Sequence, residues 1–69
     1  MKPERYSLLI QWDDEDKIYV VTVPELPGAR THGHTYEEAI KNALEVIELW
    51  LETAKDLGWP IPKPQPITA

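Results

Sequence analysis

No cysteine occurs in the 69 residues of this chain, so neither a disulfide nor a thiolate metal site can brace the fold. The absence matters because a chain of this length sits near the lower limit at which one hydrophobic core sustains folding unaided. An ordering entropy of about 1.5 kcal/mol per residue nearly cancels about 25 cal/mol per Å² of buried apolar surface at this size, which makes self-assembly the expected remedy. No apolar run approaches the roughly 18 residues of a membrane span, and no basic segment followed by an apolar one opens the chain. A cytoplasmic location is the expectation. Ser7 is the only serine, and neither a Gly-x-Ser-x-Gly elbow nor a glycine-rich phosphate loop is present, which leaves little for nucleophilic catalysis or phosphate binding. Cations are scarce too: seven Lys and Arg face twelve Asp and Glu, a net charge of −5. That balance opposes phosphate backbones and suits a basic protein partner, although the same acidity also serves plain solubility.

What is present is organised around one long amphipathic stretch. Thr35 followed by Glu38 predicts a capping box, the threonine hydroxyl accepting the Glu38 N–H and the carboxylate reaching back to the Thr35 N–H. From there to Gly58 the chain has neither Gly nor Pro. Apolar side chains recur at Tyr36, Ala39, Ile40, Ala43, Leu44, Ile47, Trp50, Leu51, Ala54 and Leu57, the spacing of one helix face. Gly58 suits a left-handed cap, and Pro60 forbids continuation.

Upstream, the pattern switches to a period of two. Tyr6, Leu8, Ile10 and Trp12 alternate with Ser7, Leu9 and Gln11, and after the acidic loop comes the β-branched run Ile18 to Val23; together they predict an antiparallel hairpin. The second strand is apolar on both sides, so one side can meet the helix and the other a partner or another subunit. Pro24 ends that strand, and Pro27-Gly28 fits the centre of a type II turn. Ala29 to His34 then reads as a short third strand. Its small side, Ala29, Thr31 and Gly33, lets the helix lie close, and its polar side, Arg30, His32 and His34, faces outward. Beyond the helix four prolines alternate, which favours extended backbone; Ile67 and Thr68 are candidates for a short fourth strand, and Trp59 and Ile61 for packing back on the core. The expected fold is α+β: a three-stranded antiparallel sheet packed on one long helix, βββα.

Three constellations carry chemistry worth weighing. The loop Asp13, Asp14, Glu15 and Asp16 offers oxygen ligands for a hard cation, but it lacks the alternating ligands, turn glycine and distal Glu of a calcium loop; a surface for a basic partner, or a simply solvated loop, accounts for it better. His32 and His34 have a chelating spacing yet supply two ligands where catalytic zinc needs three, so no metal and no cofactor are assigned. Trp12, Trp50 and Trp59 lack the basic groove that a base-stacking platform requires, and Trp50 on the apolar helix face reads as core. None of this argues for an enzyme.

The segments Tyr6-Ser-Leu-Leu-Ile-Gln-Trp12, Tyr19-Val-Val-Thr-Val-Pro-Glu-Leu-Pro-Gly28 and Thr31-His-Gly-His-Thr-Tyr-Glu-Glu-Ala39, in this order before a long helix, resemble the HicB family of antitoxins. The likeness spans about residues 5 to 62. It implies a partial, degenerate RNase H-like fold without active carboxylates, assembly into dimers or larger oligomers, and neutralisation of a small basic mRNA-cleaving toxin of the HicA type by covering its catalytic surface. Relatives commonly carry an acidic residue where His34 stands and Cys where Ala29 stands, so nothing is transferred to those positions. Residues 1–62 are expected to form the HicB-like core and residues 63–69 a proline-containing tail, with no separate DNA-binding domain and no direct contact to nucleic acid. The partner surface is assigned to Asp13, Asp14, Glu15, Asp16, Arg30 and His32. Two alternatives are a stand-alone oligomeric adaptor without a toxin partner and a metal-dependent nuclease using Asp13, Asp14 and Asp16.

Overall fold

Thr35 sets where the helix begins. In the computed structural model, which describes residues 2–67, α1 spans Tyr36–Leu57, and the Thr35 hydroxyl accepts the Glu38 N–H at 3.1 Å. The return half of the capping box differs from expectation. Glu38 Oε1 accepts from the backbone N–H of His34 at 3.2 Å and meets His34 Nδ1 at 3.1 Å, so the carboxylate reaches one residue further upstream than Thr35. Glu37 and Glu38 in the first turn and Lys55 in the last complement the helix dipole. At the far end Gly58 takes φ 72°, its N–H reaches Lys55 O, and the Trp59 N–H donates to Ala54 O at 2.8 Å. This is a Schellman closure, and it turns Trp59 back toward Trp50, with ring centroids 6.1 Å apart.

The strands are β1 (Leu9–Asp13), β2 (Ile18–Thr22) and β3 (Arg30–Gly33), antiparallel in the order β1-β2-β3. Each is shorter than the alternation implies, because the flanking N–H groups are used elsewhere. A 3-10 turn over Pro3–Arg5 takes the Tyr6 N–H, and the Ser7 N–H is taken by the Glu25 carboxylate, so the ladder starts only at Leu9. At the other end, Val23 N–H donates to Ala29 O and Ala29 N–H to Leu26 O; the latter closes the type II turn at Pro27-Gly28, with Gly28 at φ 79°.

One face of the sheet takes α1. Val21 packs with Ala39 and Ala43, and Tyr6, Val23, Leu26 and Ala29 with Ile47, all buried. Leu26 and Ile47 are the largest fully buried side chains, and burying each stabilises by about 1.5–3 kcal/mol. Trp50 is half-buried and donates its indole N–H to Pro27 O at 3.0 Å, which ties α1 to the turn. The helix lies chiefly over β3 and β2. Tyr36, Ile40 and Leu57, assigned to the core-facing stripe, are consequently exposed: the first two flank the covered strands, and Leu57 sits at the helix end.

The proline tail contributes no strand among the described residues. Each proline removes a ladder donor, and the segment through Ile67 is irregular; Ile67 is fully exposed, and Thr68 lies outside the described residues. The tail is nevertheless held: the Tyr6 hydroxyl donates to Pro62 O at 2.6 Å, and the Gln65 N–H donates to Glu25 at 3.0 Å. Trp59 and Ile61 both stay partly open to solvent.

The approach of α1 to β3 depends on Gly33, where an added Cβ would stand 2.4 Å from Ala39 N and 2.7 Å from its Cα. Gly33→Ala is expected to cost about 3 kcal/mol or more, since helix backbone must move. Gly28→Ala meets no atom within 4 Å and pays only for its positive φ, about 1 kcal/mol. Urea midpoints of the two variants check this; equal losses would show that the close approach is not what Gly33 serves.

Candidate functional site

No element packs on the other face of the sheet among the described residues. Pairing fixes what it displays: Leu9, Thr22 and Arg30 in one row, Gln11, Val20 and His32 in the next, then Asp13 beside Ile18. Ile18, Val20 and Thr22 are half-buried, whereas Gln11, Arg30 and His32 are exposed. An apolar floor with polar margins has the make-up of an interface.

Of the six residues assigned to the partner surface, four converge. Asp13, Asp16, Arg30 and His32 line a shallow depression of about 330 Å³ together with Ile18, Val20 and Thr31. Its charge is mixed: two carboxylates on the loop side, and a guanidinium and an imidazole on the β3 side. Asp14 and Glu15 lie outside it. Asp14 pairs with Lys17 Nζ at 3.0 Å and accepts the Trp12 indole N–H at 3.3 Å; these bonds, led by Lys17, hold its carboxyl below the ordinary range. Lys17, at φ 57°, closes the hairpin, and Asp13 Oδ1 accepts the Glu15 N–H at 3.0 Å. The loop is thus shaped by its own carboxylates.

The metal readings find no cluster. Among the described residues no three His, Cys, Asp or Glu side chains come together to hold an ion. His34 does not share the outward face with Arg30 and His32, because β3 ends at Gly33 and the His34 ring turns to Glu38. No helix among the described residues is long and apolar enough to cross a membrane.

Sequence reasoning missed two residues that hold this surface in shape. Asn42 donates its side-chain amide to His32 O at 2.8 Å, pinning β3 to α1. Glu25 accepts from Ser7 N–H at 3.0 Å, Ser7 Oγ–H at 2.9 Å and Gln65 N–H at 3.0 Å, so one carboxylate joins the β2–β3 loop, the lead into β1 and the tail. Nothing in the spacing of Glu25 announces these donors; only its place between Pro24 and Pro27, where the backbone must turn, marks it out.

The turn built on Pro24, Leu26 and Gly28 and the glycine-mediated seat of α1 account for the two stretches that carry the family likeness, and residues 6–69 match the HicB_like antitoxin of bacterial toxin-antitoxin system family. The chain belongs to this HicB-like antitoxin family. It is 45% identical over 51 residues to a UPF0150 protein of Thermotoga maritima, covering 74% of this chain and 68% of the relative. A UPF0150 protein of Thermoplasma acidophilum is 42% identical over 59 residues, 86% of this chain and 84% of that one. A third, from Archaeoglobus fulgidus, shares 40% over 53 residues, 77% of this chain and 75% of its own.

In this HicB-like chain, burial pushes the Glu25 carboxyl up, but the hydrogen bonds from Gln65 N–H, Ser7 N–H, its own backbone N–H and the Ser7 hydroxyl outweigh it, leaving the group below its ordinary value of 4.5. Burial, followed by the nearby Glu25 charge, raises Tyr6. A carboxyl with a depressed folded-state pKa binds its proton less readily folded than unfolded. The stability it brings is therefore complete above the ordinary value and is lost as pH falls through the folded one. Glu25→Gln is expected to cost about 1–2 kcal/mol at pH 7 and to flatten the acid limb of stability below about pH 4.5. Thermal melts of both proteins from pH 7 to pH 3 test this; an unchanged acid limb counts against the anchor.

Proposed function

We propose that this chain is a non-catalytic, cytoplasmic antitoxin that neutralises a small basic mRNA-cleaving toxin of the HicA type by occluding its catalytic surface. The observation that carries the reading is the uncovered sheet face, whose apolar floor of Ile18 and Val20 runs into the carboxylates of the hairpin loop. Antitoxin family membership and the net charge of −5 support a basic partner. In this reading Asp13, Asp14, Glu15 and Asp16 steer the encounter. Val20 and Ile18 supply the desolvated centre, and Arg30 and His32 set the register from the other margin. The chain itself contacts no nucleic acid. It also self-associates, as a small core without disulfides favours.

Co-expression with a HicA-type toxin encoded beside it is expected to restore growth that the toxin alone arrests. The combined reversal Asp14→Lys, Glu15→Lys and Asp16→Lys, on a solvated loop, is expected to slow association with purified toxin at least tenfold at low salt and to leave the fold intact. Val20→Lys is expected to raise the dissociation rate. Loss of neither growth rescue nor binding in these variants would remove the sheet face from the interface. Capture only of partners without ribonuclease activity would favour the adaptor reading instead.

A further inference from the structure

β3 is the sheet edge that lies under α1, and hydrogen-bond parity fixes which of its backbone groups are left over. Val23 N–H donates to Ala29 O, and the register sets Val21 against Thr31 and Tyr19 against Gly33, so the odd-numbered residues of this stretch bond to β2. The N–H and C=O groups of Arg30 and His32 therefore point away from the sheet. Asn42 satisfies one of them by donating its amide to His32 O at 2.8 Å. Among the described residues, no such bond reaches the Arg30 backbone.

Asn42 belongs to a stripe of α1 that runs along this edge. Val46, Leu49 and Thr53 continue it at helical spacing, and with Trp50 and Trp59 they line a hollow of about 220 Å³ beside Gly28, Ala29 and Arg30. Its walls are largely apolar and open to solvent: Leu49 is 64% exposed and Trp59 50%. Arg30 is the single charged side chain in the lining; it is exposed and has no ion pair among the described residues.

We propose that this hollow takes an extended segment of another protein as an added strand on β3, and that the segment alternates apolar, acidic, apolar. One residue of the segment exchanges both backbone hydrogen bonds with Arg30, as in an antiparallel pair. Its side chain then lies on the same face as the Arg30 guanidinium and beside it, which calls for Asp or Glu. The residues before and after it point the other way, toward α1, and bring aliphatic side chains to Leu49 and Trp59. Charge decides against a second copy of this chain in the slot. A two-fold pairing of β3 with itself about Arg30, the residue with both groups free, would set guanidinium against guanidinium, and like charges directly opposite are destabilising. A cation on an edge thus refuses its own kind and admits an anion. The inference goes beyond the toxin reading, since it concerns the sheet edge and not the outer face, although Arg30 borders both.

Two acetylated and amidated peptides, Thr-Ile-Glu-Ile-Thr and Thr-Ile-Lys-Ile-Thr, probe the slot on the full chain by NMR titration to millimolar concentration. The acidic peptide is expected to bind at least about fivefold tighter at low salt, with a gap that narrows as salt is added. It is expected to shift the Arg30 amide and the Trp59 indole N–H and to slow solvent exchange of the Arg30 amide. Arg30→Glu is expected to reverse the preference in favour of the lysine peptide. Leu49→Ser, at an exposed helix position, is expected to weaken both peptides alike, and Gln11→Lys on the opposite edge to change neither. Equal binding of the two peptides, no binding of either, or shifts centred on Leu9 to Trp12 overturn the proposal. So does an Arg30 amide protected in the free chain in a concentration-dependent way, which would put a second copy on the edge. Growth rescue with a toxin, or its failure, alters none of these outcomes.

Discussion

Where β3 meets the first turn of α1, backbone lies almost directly on backbone. Gly33 faces Ala39 with no room for a methyl group, and Ala29, Ala39 and Ala43 continue the seam with small side chains. Close contact at this seam decides where the helix lies. Held against β3, it covers β2 as well and reaches Ile10 of β1, while Trp12 at the strand's end stays half exposed. Asn42 can then reach the His32 carbonyl, which stiffens the strand carrying Arg30 and His32. A bulkier seam would lift the helix, and the wells of packing that bury Val21 and Ile47 would open with it.

One helix can cover only one face of a sheet, so a βββα chain necessarily displays the other. Here that face is built on regular strands whose register is set by the core side, and its side chains are positioned before any partner arrives. Preorganisation of this kind lowers the ordering cost of binding. The Glu25 carboxylate contributes at a distance from the face itself. By accepting three donors from the β1 lead-in and the tail, it holds the lower end of the sheet together without a disulfide. The hairpin loop at the opposite end is stabilised locally, through Asp13 and the Asp14–Lys17 pair, and leaves Glu15 in solvent.

Much of this architecture is legible in the chain because its signals are local. The Thr35 cap, the apolar period of α1, the Gly58 closure and the Pro27-Gly28 turn each depend on residues within a few positions of one another. Gly33 is readable as a small residue facing the helix, although not as one in contact with Ala39 backbone. The partner-facing set is partly legible as well: alternation places Arg30 and His32 on one side of a strand, and the depression they share with Asp13 and Asp16 follows once the strands are paired. The strands end short of the alternation, since the Ser7 and Val23 donors go to partners 18 and 6 residues away, outside any local pattern. His34 leaves the outward face for the opposite reason, a local bond to Glu38 that strand alternation does not anticipate.

Composition and periodicity alone therefore determined the elements, their order, and the fact that both sides of β2 are apolar. Only the tertiary structure decided how those elements share the apolar surface. Hydrophobic period says that a face is to be buried but not against what, and ten apolar positions on α1 exceed what two strands can cover. Packing against the sheet and the segments that flank it buried Ala39, Ala43, Ile47 and Ala54 and left Tyr36 and Ile40 exposed. The same long-range geometry turned Glu25 from a turn residue into the junction of three segments.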